Sequence, residues 1–110
     1  HAMDEQEFIQ RADQELTRLE AALEAVSESD AADFDLETKP GGVIEIECDN
    51  GSKIIINRHT AAREIWIAAK SGGYHFRPQE GGWFATRDGE ALWAAIARVL
   101  SEQTGVDMSL

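Results

Sequence analysis

Residues 43–57 read VIEIECDNGSKIIIN, and this stretch decides the fold. Apolar and acidic side chains alternate along its first half, which is the pattern of a strand with one buried and one exposed face. The apolar face holds Ile44, Ile46 and Cys48, and the acidic face holds Glu45, Glu47 and Asp49. Asn50-Gly51 tolerates the positive φ angles of a two-residue type I′ turn, and residues 53–57 supply the returning strand. The stretch therefore predicts a half-buried β-hairpin.

Strand patterns also lie on both sides of the hairpin. Four further strands are predicted, over residues 33–37, 63–69, 74–77 and 83–87. The turn residues of Lys39-Pro40-Gly41-Gly42 separate the first of them from the hairpin. In residues 63–69 the alternation places Ile65 and Ile67 toward the core, so Trp66 is predicted to face solvent.

Helical periodicity precedes and follows the strands. Over residues 4–28 apolar side chains recur at intervals of three and four, at Phe8, Ala12, Leu16, Leu19, Leu23 and Val26. Asp88 is a suitable N-cap for a second helix, and Gly105 is a suitable stop. Residues 106–110 beyond that stop are expected to form a frayed tail.

The order of these elements predicts an α+β fold. A helix, five or six consecutive strands and a second helix are typical of a two-layer sandwich, with both helices on one face of an antiparallel sheet. The chain of 110 residues is long enough for one domain of this kind. His1-Ala2 precede Met3 and are expected to be residues left by expression cloning.

The charge of the chain is strongly asymmetric. The net charge is −11, and residues 1–50 alone carry 15 acidic and 3 basic side chains. Such a surface repels phosphate backbones and anionic membranes, so nucleic acid is excluded as a partner. No apolar run approaches the roughly 18 residues of a membrane span, and no signal peptide is recognisable, so a cytoplasmic location is expected. Cys48 is the single cysteine, which excludes an internal disulfide.

The acidic side chains are also placed on one side of the predicted elements. Asp13, Glu20, Glu24 and Glu28 share one flank of the first helix, and Arg11 and Arg18 lie on the other flank. Alternation in the first strand turns Asp33, Asp35 and Glu37 outward. Exposed oxygen ligands suit hard cations and iron but do not select one metal. An EF-hand is excluded, because the loop position that requires glycine is Thr38.

Three segments resemble a known family. Residues 50–57, 64–68 and 70–76 read NGSKIIIN, EIWIA and KSGGYHF, and they closely resemble frataxins, specifically bacterial frataxins of the CyaY type. The resemblance continues at Trp83 and at RDGE over residues 87–90, and it covers about Met3 to Gln103. It implies a single frataxin-like domain over residues 3–105, with the sandwich architecture predicted above.

The resemblance also implies a function. Frataxins bind iron (Fe²⁺ or Fe³⁺) weakly and reversibly through an acidic ridge, and they act in iron–sulfur cluster assembly by docking on the cysteine desulfurase and its scaffold protein. Carried over to this chain, the acidic ridge consists of Glu20, Glu24, Glu28, Asp30, Asp33, Asp35 and Glu37. The implied partner contacts are Trp66, Asn57, Glu20, Glu24 and Asp33. Ala21 and Ala25 stand where relatives often carry a second carboxylate, so a lower iron affinity is expected.

Two alternatives remain open beside a non-enzymatic regulator or iron chaperone. The first is a ferroxidase or iron-storage activity, which is not favoured because neither helix carries the Glu-x-x-His motif of di-iron oxidases. No catalytic residue is therefore assigned. The second is an acidic interaction module without a metal.

The two remaining histidines are expected in different elements. His59 is expected in a loop and His75 in a strand, and His75 is a candidate secondary metal ligand. The chain is expected to be a monomer, with iron-driven oligomers as an alternative.

Overall fold

The computed structural model describes residues 3–110, so the proposed cloning remnant His1-Ala2 lies outside the described part. In chain order the elements are α1 (Glu5–Glu28), β1 (Phe34–Lys39), β2 (Val43–Cys48), β3 (Lys53–His59), β4 (Glu64–Ala69), β5 (Gly72–Gln79), β6 (Gly82–Ala85) and α2 (Leu92–Thr104). Asp4 caps α1 by accepting a hydrogen bond from the Glu7 amide at 2.8 Å. Neither helix has the combination of length and apolar character needed to cross a membrane.

The six strands form one antiparallel sheet in sequence order, from β1 at one edge to β6 at the other. The apolar faces of the strands and of both helices meet in one core. Its largest fully buried side chains are Phe8, Phe76, Leu19, Leu23, Ile46, Ile54, Ile56, Ile65, Ile67, Leu92, Ile96 and Leu100. The predicted α+β sandwich is confirmed, including Cys48 as a buried core residue.

The tip of the central hairpin differs from its prediction. The Gly51 amide donates to the Cys48 carbonyl at 2.9 Å, and the Cys48 amide donates to the Ser52 carbonyl at 2.8 Å. Gly51 has a φ of 86°, whereas Asn50 does not enter the positive-φ region. The loop is therefore a three-residue type I turn with a glycine bulge, and the predicted two-residue type I′ turn is wrong.

A side-chain network at this tip explains the conformation of Asn50. Its Oδ1 accepts from the Ser52 amide at 2.9 Å, and its Nδ2 donates to the Gln103 carbonyl at the end of α2 at 2.9 Å. The buried Gln103 side chain in turn donates to Ser52 Oγ and accepts from the Lys70 amide. Hydrogen bonds thus connect the hairpin tip to α2 and, through Gln103, to the β4–β5 turn.

The second helix begins later than predicted. Asp88 accepts a hydrogen bond from the Glu90 amide at 3.0 Å within a turn, and Ala91 occupies the N-cap position without a side-chain cap. Ala91 is held extended by a β-bridge to Phe84, which delays the helix to Leu92. The prediction of Asp88 as N-cap is therefore wrong. The predicted stop is confirmed, because Gly105 ends the helix at a φ of 77°.

The C-terminal residues pack against the core, which differs from the frayed tail expected for residues 106–110. Met108 is only 9% exposed and belongs to the core, and Leu110 packs partly against it. The Met108 amide donates to Ser101 Oγ at 2.9 Å. Burial of these apolar side chains and the bond to α2 offset the entropy lost by ordering the tail.

Candidate functional site

The seven carboxylates of the acidic ridge lie along one edge of the molecule. Glu20 is half-buried and the other six side chains are exposed. They follow the second half of α1, its connection to the sheet, and β1, which is the first edge strand. None of the seven forms a salt bridge with another residue of the described chain. The ridge is therefore a negatively charged surface whose carboxylates have no direct ion-pair partner in the described chain.

Two further carboxylates lie beside the predicted ridge residues in the structure. Glu47 lies opposite Asp35 in the β1–β2 register, and the Asp49 amide donates to the Asp33 carbonyl at 3.3 Å. These four acids line a surface depression of about 190 Å³ at the end of the hairpin. The alternation of apolar and acidic residues in the hairpin predicts that Glu47 and Asp49 face outward. It does not predict that they lie beside Asp33 and Asp35, because that depends on the register between β1 and β2.

Basic side chains set the limits of the ridge. Glu45 accepts from Lys39 Nζ at 2.7 Å and from Lys53 Nζ at 2.9 Å, and these two bonds hold the pKa of Glu45 below its usual range. Asp13, predicted on the same helix flank as Glu20, pairs instead with Arg58 of β3. Both carboxylates are paired with basic side chains of the chain itself. They therefore contribute little to the negative electrostatic potential that an approaching cation meets.

The ridge carboxylates are spaced along the surface. Within residues 3–110 no three side chains of the His, Cys, Asp and Glu types lie close enough together to hold a metal ion. Ala21 and Ala25 are exposed beside Glu20 and Glu24 and contribute no oxygen. In the observed conformation these side chains form a negatively charged surface that attracts cations. Coordination of one metal ion by several of them requires side-chain movement.

Trp66 lies on the sheet face opposite the helices, where it is the centre of a three-ring stack. Its indole lies between the imidazoles of His59, at a centroid distance of 3.7 Å, and His75, at 4.4 Å, with interplanar angles of 9° and 10°. Trp66 is therefore half-buried, which departs from the prediction that it faces solvent. His75 lies in β5 as predicted, whereas His59 ends β3, so its predicted loop position is wrong.

The two predicted sets of partner contacts occupy different parts of the molecule. Asn57 is directly opposite Trp66 in the β3–β4 register, so these two form one group. Glu20, Glu24 and Asp33 belong to the acidic ridge on the far side of β1 and β2. Asn57 pairs with Val43 and Val43 with Lys39, whereas Asp33 precedes the opposite end of β1, so the two groups are separated both across and along the sheet.

Comparison with known proteins places these features in a family. The sequence model of the family described as frataxin-like domain matches residues 1–106 of this chain. The chain belongs to the frataxin family. The iron–sulfur cluster assembly protein CyaY of Cupriavidus taiwanensis is 47% identical over 108 residues, which cover 97% of this chain and 96% of that protein. The protein of the same name from Dechloromonas aromatica is 48% identical over 103 residues, covering 94% of each chain.

Solved frataxin structures share the fold. A frataxin of the CyaY family from Psychromonas ingrahamii superposes with a TM-score of 0.79 at 28% identity, covering 97% of both chains. Trimeric frataxin from the yeast Saccharomyces cerevisiae, complexed with ferrous iron, gives a TM-score of 0.73 at 26% identity. This second alignment covers 96% of this chain and 89% of the yeast chain.

A buried carboxylate supports the aromatic stack of this frataxin. Glu64 is 5% exposed, and it accepts hydrogen bonds from Trp66 Nε1 at 2.7 Å and from Arg77 Nε at 2.9 Å. His75 Nδ1 lies 3.6 Å from the same carboxylate. Burial alone would raise the pKa of Glu64, but the bonds from Trp66 and Arg77 and the charge of Arg77 outweigh it, so the pKa lies below its ordinary value of 4.5.

This lowered pKa predicts a contribution to acid sensitivity. A carboxylate whose pKa falls on folding stabilises the native state above its unfolded value, here 4.5, and that contribution is lost as the pH falls through the lower folded value. We expect the stability advantage of the wild type over Glu64→Gln to be full at pH 6 and to shrink steadily below pH about 4.5. Urea unfolding of both proteins across this range measures it, and a constant difference would contradict it.

Proposed function

We propose that the chain is an iron-binding regulator or chaperone of iron–sulfur cluster assembly that docks on the cysteine desulfurase through the acidic ridge. The observation that carries the proposal is the run of seven carboxylates along one edge without a salt-bridge partner in the described chain. Relatives covering nearly the whole chain are named iron–sulfur cluster assembly proteins, and the yeast relative was solved with ferrous iron.

The chemistry of the ridge fits both iron binding and docking on the desulfurase. Carboxylate oxygens bind hard cations and iron, and an exposed set of them without thiolate or imidazole ligands holds the ion weakly and reversibly. The same negative edge steers a protein with a complementary basic patch, so association should be fast and should weaken as salt screens the charges. Asn57 and Trp66 offer a second, less charged contact for the scaffold protein.

Charge reversal of the ridge tests the docking step. Replacing Glu20, Glu24, Asp33 and Asp35 together by lysine is expected to weaken desulfurase binding at least about thirtyfold, because each reversed charge turns attraction into repulsion. Isothermal titration calorimetry at low and physiological salt measures the affinity. The matched control reverses Glu5, Glu80, Glu102 and Asp107, exposed acids outside the ridge, and changes the net charge equally.

The two outcomes are distinct. Retained binding in the control, together with loss in the ridge variant, identifies the ridge and not the net charge as the docking surface. Equal affinities of the ridge variant and the wild type would rule out the docking step. Circular dichroism of both variants shows whether the fold is intact, as expected for substitutions at exposed or half-buried positions.

Iron binding needs a separate measurement. In an anaerobic NMR titration with Fe²⁺, paramagnetic broadening should begin at the amides of residues 20–37 and also at Glu47 and Asp49, which line one surface depression together with Asp33 and Asp35. Uniform weak broadening over the whole chain would favour the metal-independent interaction module. Sedimentation velocity with and without iron tests the expected monomer against iron-driven assembly.

A further inference from the structure

The surroundings of Trp66 restrict how another molecule can touch it. One face of the indole is covered by the His59 ring and the other by the His75 ring, both nearly parallel to it. The Nε1–H group is bonded to Glu64 Oε1 at 2.7 Å. The perimeter of the ring away from Nε1 is therefore the part of Trp66 that remains for an intermolecular contact.

This arrangement depends on a carboxylate that would be costly to bury without partners. Glu64 lies at the base of the stack with a side chain only 7% exposed, and removing a charge from water is unfavourable unless hydrogen bonds replace the lost hydration. Trp66 and Arg77 supply those bonds. Since the carboxylate lies between them, it fixes the rotation of the indole about its side-chain bonds.

The imidazoles complete the support. His59 Nδ1 accepts a hydrogen bond from the Ala62 amide at 3.3 Å, which orients the ring at the end of β3. His75 lies directly opposite Trp66 in the β4–β5 register and near Glu64. Because the two imidazoles lie on opposite faces of an indole, they are too far apart to ligate one metal ion, whose bonds to nitrogen are about 2 Å long. The stack is thus a support for Trp66 and not a metal site.

The exposed edge of an aromatic ring has a definite chemical preference. The ring edge carries the positive end of the quadrupole and the ring face the negative end, so an edge packs best against the face of another aromatic ring. A cation would need an open indole face, and both faces are occupied. The surface therefore fits a protein that presents an aromatic side chain face-on.

We propose that Glu64 is a positioning residue that holds Trp66 between His59 and His75, so that a protein partner meets the indole edge with the face of an aromatic side chain. This inference rests on the proposed function, because the partner is taken to be the complex of the desulfurase and its scaffold. It assigns to Glu64, which was not a predicted site residue, control over the geometry of the contact.

The test compares Glu64→Ala with the conservative variant Glu64→Gln. The amide oxygen of glutamine still accepts from Trp66 Nε1, whereas alanine leaves the indole without its acceptor. We expect Glu64→Ala to shift the indole N–H resonance of Trp66 and to weaken binding to the desulfurase–scaffold complex about tenfold, and Glu64→Gln to recover most of that loss. Glu90→Ala removes another arginine-paired carboxylate, one that makes no contact with the stack, and should leave the Trp66 resonance unchanged.

A fluorine label tests the geometry of the contact. With 5-fluorotryptophan the fluorine of Trp66 lies on the ring edge, and its ¹⁹F signal should shift when the complex is added, whereas the signal of buried Trp83 should not. An unchanged indole resonance in Glu64→Ala, or an unchanged ¹⁹F signal in the complex, would overturn the inference. Normal binding of Glu64→Ala with impaired binding of the ridge variant would reject the positioning role alone. Normal binding of both variants would reject the proposed function as well.

Discussion

Phe8→Ala is expected to lower the free energy of unfolding by about 3–5 kcal/mol, a large share of the roughly 5–15 kcal/mol available to a small domain. Phe8 is fully buried in the first turns of α1, and its ring meets the Trp83 ring edge-on at a centroid distance of 5.9 Å and an angle of 69°. The substitution removes apolar area from the core and also leaves a cavity between α1 and β6. Neighbouring side chains of a close-packed interior can fill that cavity only in part.

Urea unfolding followed by circular dichroism measures this loss, which should appear as a lower midpoint with an unchanged dependence on urea. Phe84→Ala is the matched control, because Phe84 is half-buried and its ring lies against Gly82 at the edge of β6. We expect the control to lose much less stability. Equal losses for the two variants would contradict the placement of Phe8 in the core.

Met108→Ala is expected to cost about 2–4 kcal/mol, because the side chain is 9% exposed and packs on the core. The substitution keeps the backbone, so the hydrogen bond from the residue 108 amide to Ser101 can still form. The expected loss therefore comes from the missing apolar contacts alone. Such a loss would show that residues 106–110 belong to the cooperative unit that unfolds with the rest of the domain.

Val106→Ala is the matched control for the tail, because Val106 is 39% exposed and lies two residues away. Its effect should stay within about 0.5 kcal/mol. Thermal or urea unfolding of both variants measures the difference. If both substitutions are neutral, the tail is frayed in solution and the packed conformation of Met108 is wrong.

The fold was predictable wherever a repeating pattern determined an element. Alternation along residues 43–57 identified the central strands, and the helical repeat of α1 identified its buried face. The start of α2 was missed because a tertiary contact, the bridge from Ala91 to Phe84, overrides the capping preference of Asp88. The packing of the tail was missed because Met108 is an isolated apolar residue with no periodicity to reveal it.

The candidate site was predictable in its composition but not in its arrangement. Family resemblance supplied the seven ridge residues, yet Glu47 and Asp49 join Asp33 and Asp35 only through the pairing of β1 with β2. For Trp66, alternation gave the correct face of β4. It could not show that His59 and His75 cover both sides of the ring, because cross-strand neighbours depend on the register of three strands.

The position of β1 at the border of the sheet has a consequence for self-association. An edge strand exposes unpaired backbone groups, and another chain can add to them unless charged side chains prevent it. Asp35 and Glu37 project from this strand, so two copies approaching by their β1 edges would repel each other. The carboxylates proposed to attract iron would therefore also disfavour pairing of two copies through their β1 edges.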